Sequence, residues 1–210
     1  MYDLPYYKEQ DAETVIQFMQ QHPFAMLIGS ARNMPVATQV PLLIEQHAGK
    51  LYLQGHIMRN TDHHNALEQN PNVLCVFTGA HTYVSASWYQ NPQVGSTWNY
   101  MSVHAKGTLR FVDEASLIEI LRQTTAHFEN NPESPSLFHH LPDNYIQRLV
   151  KAIVGFEIEV TALENVFKLS QNSDRESYQN IIEQLQSGGA QAQEIATEMA
   201  RRSSQLFDTQ

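Results

Sequence analysis

With 210 residues, 42% hydrophobic and 10% aromatic, the chain has the make-up of an ordinary globular protein that can bury a full core, which excludes disordered and fibrous classes. Its 13 Lys and Arg face 22 Asp and Glu, giving a net charge of −9, and only Arg201 and Arg202 are adjacent basic residues. That balance speaks against nucleic-acid binding, which draws most of its non-specific affinity from phosphate contacts, while leaving open a local basic groove in a dimer.

Residues 11–22 (DAETVIQFMQQH) carry a helical pattern. Asp11 can cap it, Glu13 suits the positive end of the dipole, and Val15, Ile16, Phe18 and Met19 form an apolar stripe. His22-Pro23 ends it, because the residue before a proline is pushed out of the helical region. FAMLIGSA (24–31) reads as a buried strand and residues 32–35 as a turn. In VATQVPLLIE (36–45), read as one strand, Val36, Thr38, Val40, Leu42 and Ile44 share a face and Ala37, Gln39, Pro41 and Leu43 the other. Pro41 cannot donate to a ladder, so this strand is expected at an edge, at a bulge, or against something other than a strand. Its free backbone could face a planar ligand, or it could be a plain edge strand.

LYLQGHIMRNTDHHNALEQN (51–70) predicts a strand ending at Gly55 and a helix opening at Asn60 or Thr61. Unpaired N–H groups at a helix start, with Arg59 beside them, make an anion site, and Gly55 lets a ligand approach the backbone. The alternative is a surface arginine at a common strand–helix junction. VLCVFTG (73–79) is a strand buried on both sides, and HTYVSASWYQNPQVGSTWNY (81–100) is predicted as a loop holding Tyr83, Trp88, Tyr89, Trp98 and Tyr100. An aromatic ligand, a dimer interface or a plug at a barrel end would each explain that concentration.

From Trp98 to Val112 the alternation is regular. Met101, Val103, Ala105, Leu109 and Phe111 face one way, while Tyr100, Ser102, His104, Lys106, Thr108 and Arg110 face the other, which predicts a long half-exposed strand. Asp113 caps a predicted helix over 114–128 with Leu117, Ile118, Leu121 and Phe128 on its apolar face. Pro142 opens another, carrying Tyr145, Ile146, Leu149, Val150 and Ile153; Gly155 ends it before FEIEV (156–160) alternates as a strand. Ser173-x-x-Glu176 reads as a capping box for a helix with Tyr178, Ile181, Ile182 and Leu185. Gly188-Gly189 breaks that helix, and an Ala-rich helix with Ile195 and Met199 leads to a polar end expected to fray.

Several chemistries lack their signatures. The adjacent pairs His63-His64 and His139-His140 point apart on a helix, and neither HExxH nor paired CxxC occurs, so no metal site is expected. Cys75, the sole cysteine, excludes an internal disulfide and sits in an apolar run as a buried thiol. No nucleophile elbow, GxGxxG, Walker loop or helix-turn-helix is present. No apolar run approaches the roughly 18 residues that span a bilayer. MYDLPYYKEQD (1–11) lacks the basic and apolar regions of a signal peptide, so the cytoplasm is the expected location.

GHIMRN (55–60), HTYVSASWY (81–89), STWNYMSVHAKG (96–107) and KLSQN (168–172), in that order, strongly resemble the PaiB-type FMN-binding proteins, usually called negative transcriptional regulators. These are similar to the pyridoxamine-phosphate-oxidase and flavin-reductase group of split β-barrels, and the likeness runs from MYDLPYY to about Tyr178. The resemblance implies an α+β fold, a split β-barrel with C-terminal helices. It implies an FMN-binding domain with inserted helices over 1–172, a helical extension over 173–210, and a homodimer holding FMN in a groove between subunits. It puts Thr38, Gln39, Val40 and Pro41 beside the isoalloxazine ring and His56, Arg59 and Asn60 near the phosphate. Ser87, Trp88, Trp98 and Asn99 would line the groove, partly from the second subunit, and Lys168, Ser170 and Gln171 would close over the flavin. The chain departs from the family pattern at Met58 and Thr61-Asp62 after GH, at Ala86 in SASWY, at Gly95-Ser96 before TWNY, and at Ser173-Asp174 where a basic residue often follows KLSQN.

Two functions follow from the resemblance. One is a flavin-dependent or flavin-sensing negative regulator of transcription, for which DNA is a candidate partner that neither charge nor motif supports. The other is a flavin reductase or oxidase using FMN with NAD(P)H or a small-molecule substrate, in which His104, Lys168 or Tyr100 could tune the flavin. Haem handling, known among some split-barrel proteins, is a third. No residue is assigned a catalytic role, and no membrane association is expected.

Overall fold

The computed structural model describes residues 1–31 and 33–208; Arg32, in the predicted turn over 32–35, lies outside them. The chain forms two compact units: Met1–Phe18, Thr78–Val103 and Glu164–Gln210 make the first, Met19–Phe77 and His104–Leu163 the second. In chain order the helices and strands are α1 (Ala12–Gln21), β1 (Phe24–Ala31), β2 (Met34–Pro41), β3 (Leu43–His47), β4 (Lys50–Met58), α2 (Asp62–Gln69), β5 (Asn72–Val84) and β6 (Thr97–Phe111). There follow α3 (Glu114–Glu129), α4 (Asp143–Ala152), β7 (Ile153–Lys168), α5 (Arg175–Gln186) and α6 (Ala190–Phe207). Among the described residues no helix is long and apolar enough to cross a membrane.

The seven strands form one antiparallel sheet in the order β2-β1-β5-β6-β7-β4-β3. Its two edge strands, β2 and β3, are separated in sequence by Leu42 alone. Consecutive Cα atoms are about 3.8 Å apart, so the two edges must come together at that residue, and the sheet curls into a barrel. No ladder joins β2 to β3, so the barrel is split. The strand predicted over 36–45 is therefore two strands. Pro41 closes β2, and the Leu42 N–H leaves the ladder to donate to the Pro23 carbonyl at 2.9 Å.

The alternation read from Trp98 to Val112 is found in most of β6, where Met101, Val103, Ala105 and Leu109 are buried, but Ser102, expected on the opposite face, is buried as well. Gly107 lies on that buried face because a Cβ there would stand 2.4 Å from the Glu159 carbonyl oxygen. The predicted loop over 81–100 is shorter than expected: His81 to Val84 extend β5, and Trp98 to Tyr100 open β6. Aromatic and β-branched side chains favour a pleated surface, and here that preference lengthens both strands. Ile153 and Val154 likewise start β7 before Gly155, so α4 ends at Ala152. In the second unit, Leu117, Leu121, Phe138, Val150 and Ile153 form the core under α3 and α4, and the Asp113 side chain accepts from Ser116 N at 2.8 Å as the expected cap.

In the first unit α5 and α6 pack together, with Tyr178 buried and its hydroxyl donating to the Met199 carbonyl at 3.0 Å. The Phe18 and Phe167 rings meet at 5.2 Å, and Arg202, paired with Glu9 and Glu198, stands 5.1 Å over Phe167. The cap of α5 is Asp174 and not Ser173: its carboxylate accepts from both Ser177 N and Ser177 Oγ, which a serine one residue earlier cannot reach. α6 is helical to Phe207, where Arg175 donates to the Phe207 carbonyl at 2.7 Å and pairs with Asp208; the expected fraying of the last residues falls on 209–210, which lie outside the described residues.

Candidate functional site

The second unit holds the ring-side and phosphate-side residues of the resemblance. β2 is an edge strand, one of the three placements that Pro41 left open, so backbone groups facing away from β1 have no ladder partner. Gln39 is exposed, Thr38 and Pro41 are half-buried, and Val40 turns its side chain into the core, leaving only its backbone for a ligand. Thr38 Oγ1 lies 2.7 Å from Nδ1 of His63, whose ring is 2% exposed and whose Nε2 has no partner among the described residues. Burial holds this imidazole below the ordinary histidine pKa, so it is neutral and carries one N–H. The tautomer that leaves no buried N–H unpaired has the proton on Nδ1. Thr38 Oγ1 then accepts from His63, and its own hydrogen is free for a ligand acceptor.

β4 runs to Met58, past Gly55 where the strand was expected to end. A Cβ at Gly55 would meet Phe156 Cζ at 2.9 Å and Leu42 Cδ2 at 3.1 Å, so the space above this glycine is filled by the protein and not by a ligand. At the strand's end the Arg59 N–H donates to the Ala152 carbonyl at 2.9 Å, and Asn60 takes a left-handed conformation with φ 60, which asparagine tolerates. Thr61 caps α2: its Oγ1 accepts from His64 N at 3.1 Å, the Asp62 carboxylate accepts from His63 N at 2.8 Å, and Asn60 N donates to His64 Nδ1 at 3.3 Å. The helix start thus satisfies many of its own N–H groups and carries a carboxylate, so it attracts an anion less than the bare end the sequence suggested.

What remains for an anion is the Arg59 guanidinium, exposed and without a partner among the described residues. Arg148 and Lys151, also without partners there, lie in the last turns of α4, whose Ala152 carbonyl receives the Arg59 N–H. His56 is half-buried and held below the ordinary histidine value by that burial, so it serves as a neutral hydrogen-bonding group and adds no charge. Thr61→Ala should cost about 1 kcal/mol of stability through loss of the cap, read from urea midpoints.

The first unit holds the remaining assigned residues. Trp98 is 52% exposed, edge-on to Tyr83 at 6.1 Å, with His81 at 6.2 Å, so an aromatic surface stands open to solvent. Trp88 is half-buried, and exposed Ser87 has its Oγ 2.9 Å from Ser85 Oγ. Asn99 is buried and committed to the fold: its Oδ1 accepts from Ser170 Oγ at 3.1 Å, and its Nδ2 faces Met199 Sδ at 3.5 Å. Gln171 spends its side chain on the turn, accepting from Leu169 N and donating to the Phe167 carbonyl, while Ser170 sits at φ 62. Lys168 is 8% exposed, and its Nζ donates to Thr97 Oγ1 and, at 2.7 Å, to the Trp98 carbonyl.

Lys168 and Ser170 open on a cavity of about 410 Å³ whose walls include Tyr7, Tyr89, Thr97 and Asn172. Sequence reasoning missed Tyr7, whose hydroxyl donates to Asn172 Oδ1 at 3.1 Å and whose pKa burial pushes up to about 12. The available signal was a cluster of tyrosines, Tyr2, Tyr6 and Tyr7, at the start of the chain. Asp174, at the rim, is held below the ordinary carboxylate range by the Ser177 N–H and hydroxyl. Its contribution to stability is therefore complete above that range and is lost as pH falls through the depressed value. Asp174→Asn, which can still cap, should flatten the loss of stability between about pH 5 and about pH 3, read from denaturant midpoints.

An unpaired guanidinium, a hydroxyl with a free hydrogen and an open strand edge are the donors that an FMN phosphate and the polar rim of its ring require, so the residues present fit that group. The family model described as "Putative FMN-binding domain" matches residues 1–162. The protease synthase and sporulation protein PAI 2 of Bacillus subtilis (strain 168) is 33% identical over 186 residues, covering 89% of either chain. Two solved structures share the fold at 15% identity. The FAD and heme binding protein from Mycobacterium smegmatis has a TM-score of 0.58 over 76% of this chain and 72% of its own. The flavocytochrome Anf3 from Azotobacter vinelandii has a TM-score of 0.56 over 80% and 72%. Matched by that family model over residues 1–162 and by PAI 2 across most of its length, the chain belongs to the FMN-binding-domain family, and FMN is its cofactor.

Proposed function

We propose that the protein is a PaiB-type homodimer that acts as a flavin-sensing or flavin-dependent negative regulator of transcription. The observation that carries the flavin part is the unpartnered Arg59 guanidinium at the end of β4. Arg59 and Asn60 would hold the phosphate with His56 as a neutral donor, and Thr38, Gln39 and the backbone of Val40 and Pro41 would run along the ring. Trp88 and Trp98 offer aromatic faces, and Ser87, Lys168 and Ser170 offer polar groups, from one protomer or its partner. Asn99 and Gln171 act through the turn they hold. Bound FMN supplies reversible electron transfer, which a regulator can read as a redox signal.

Support for the regulatory part is the 33% identity with PAI 2. A mobility-shift titration at several salt concentrations, with and without FMN, tests it. A shift that fades with rising salt is expected, and no shift even at the lowest salt would contradict direct DNA contact. Sedimentation of the purified protein at dimer mass is the matching expectation for assembly. The second reading, an FMN-dependent oxidoreductase, is favoured by the solvent-reached cavity beside Lys168. Anaerobic mixing with NADH or NADPH should then bleach the flavin, and no bleaching by either removes that reading.

A further inference from the structure

We propose that the cavity beside Lys168 is a second ligand site and that it takes a small, hydroxyl-bearing organic monocarboxylate. The inference rests on the flavin reading only in that Lys168 and Ser170 are among the residues assigned to FMN, and a carboxylate held there would be the flavoprotein's substrate or signal.

The charge requirement comes from Lys168. Its side chain is 8% exposed, and two of its three N–H groups go to Thr97 Oγ1 and the Trp98 carbonyl, both neutral. No carboxylate pairs with it among the described residues. A buried ammonium without a counter-charge is costly, and an anion brought to it offsets that cost. Burial accordingly holds the ammonium below the ordinary lysine value. Asp174 lines the same cavity, but its oxygens are taken by Ser177 N at 2.8 Å and Ser177 Oγ at 2.7 Å. With one cation and one standing carboxylate on the walls, a single negative charge is matched better than the double charge of a phosphate ester.

The rest of the lining sets the body of the ligand. Asn91, Ser170, Asn172 and Ser173 offer hydrogen bonds, and Tyr7 and Tyr89 offer aromatic wall, with the Tyr7 centroid 5.8 Å from Lys168 Nζ. The Tyr7 hydroxyl is tied to Asn172, so that ring is fixed in place before any ligand arrives. About 410 Å³ suits one small acid and is within the range of small-molecule sites.

The test is calorimetric titration of the full chain, FMN-free and FMN-loaded, with 4-hydroxybenzoate as an aromatic acid, gluconate as a polyol acid and 4-hydroxybenzamide as the uncharged counterpart. Binding of at least one acid in both forms is expected, with the amide weaker than 4-hydroxybenzoate by about tenfold or more where the aromatic acid is the one bound. Lys168→Met should remove acid binding. The acid–amide contrast needs no variant, so a poorly folded Lys168→Met would not spare the proposal. Failure of both acids, equal binding of acid and amide, or displacement of the acid by FMN would overturn it. Acid binding by a protein that takes up no FMN would sustain the site while removing the flavin reading.

Discussion

Arg59→Ala is expected to weaken FMN binding by about 1.5–3 kcal/mol, roughly 10- to 150-fold in Kd. The guanidinium stands at the end of β4 with its backbone fixed by the Ala152 carbonyl, so it reaches its position without ordering a loop. No carboxylate competes for it among the described residues, and the neighbouring His56 is neutral. The start of α2 cannot replace it, because Thr61, Asp62 and His64 already occupy several N–H groups there. Arg59→Lys should fall between the two, since an ammonium keeps the charge but loses the forked contact. The check is quenching of flavin fluorescence in a titration, with urea midpoints confirming that the variant is folded. Unchanged affinity would place the phosphate elsewhere.

Phe156→Ala should destabilise the protein by about 3–5 kcal/mol, the usual cost of emptying a buried aromatic position. Phe156 is 0% exposed, pairs with Gly55 across β4 and β7, and lays its ring into the space that a Gly55 side chain would take. The gap cannot be closed by neighbours without moving the strand that leads to Arg59. FMN affinity should therefore fall together with stability. Urea unfolding at an unchanged m-value measures the first and the same fluorescence titration the second. A loss under about 1 kcal/mol would mean that β4 is held in place by something other than this ring.

Much of the fold was legible because the signals were local. Asp11 and Asp113 cap the helices they were expected to cap, Thr61 is the one of the two candidates, Asn60 and Thr61, that caps α2, and the period-two pattern from Met101 to Leu109 is the buried face of β6. Pro41 limited its strand to an edge, a bulge or a non-strand neighbour, since a residue without an N–H has no place in a central ladder, and the edge is what forms. The errors came where long-range packing outweighed local pattern. The break at Leu42 depends on where two sheet edges meet, which 36–45 alone does not encode. Gly55 reads as an opening in sequence and is a socket for Phe156, a residue a hundred positions away in the chain. Ser173 and Asp174 are both good caps, and only the Ser177 hydroxyl decides between them.

The candidate site was legible in type and less so in detail. An arginine before an Asn-Thr helix start marks an anion corner, and the structure keeps the arginine while its neighbours close off much of the helix end. His63 was read only as half of a non-chelating pair, yet it supports Thr38 from a helix more than twenty residues on. Tyr7 and Asn172 come from opposite ends of the chain, so no spacing rule could join them.

The most direct measurement is FMN titration of the purified chain, followed by absorbance and flavin fluorescence. Saturable, stoichiometric uptake with quenched emission and a shifted flavin band is the predicted result. A colourless protein that leaves the spectrum of added FMN unchanged at every concentration would contradict the account.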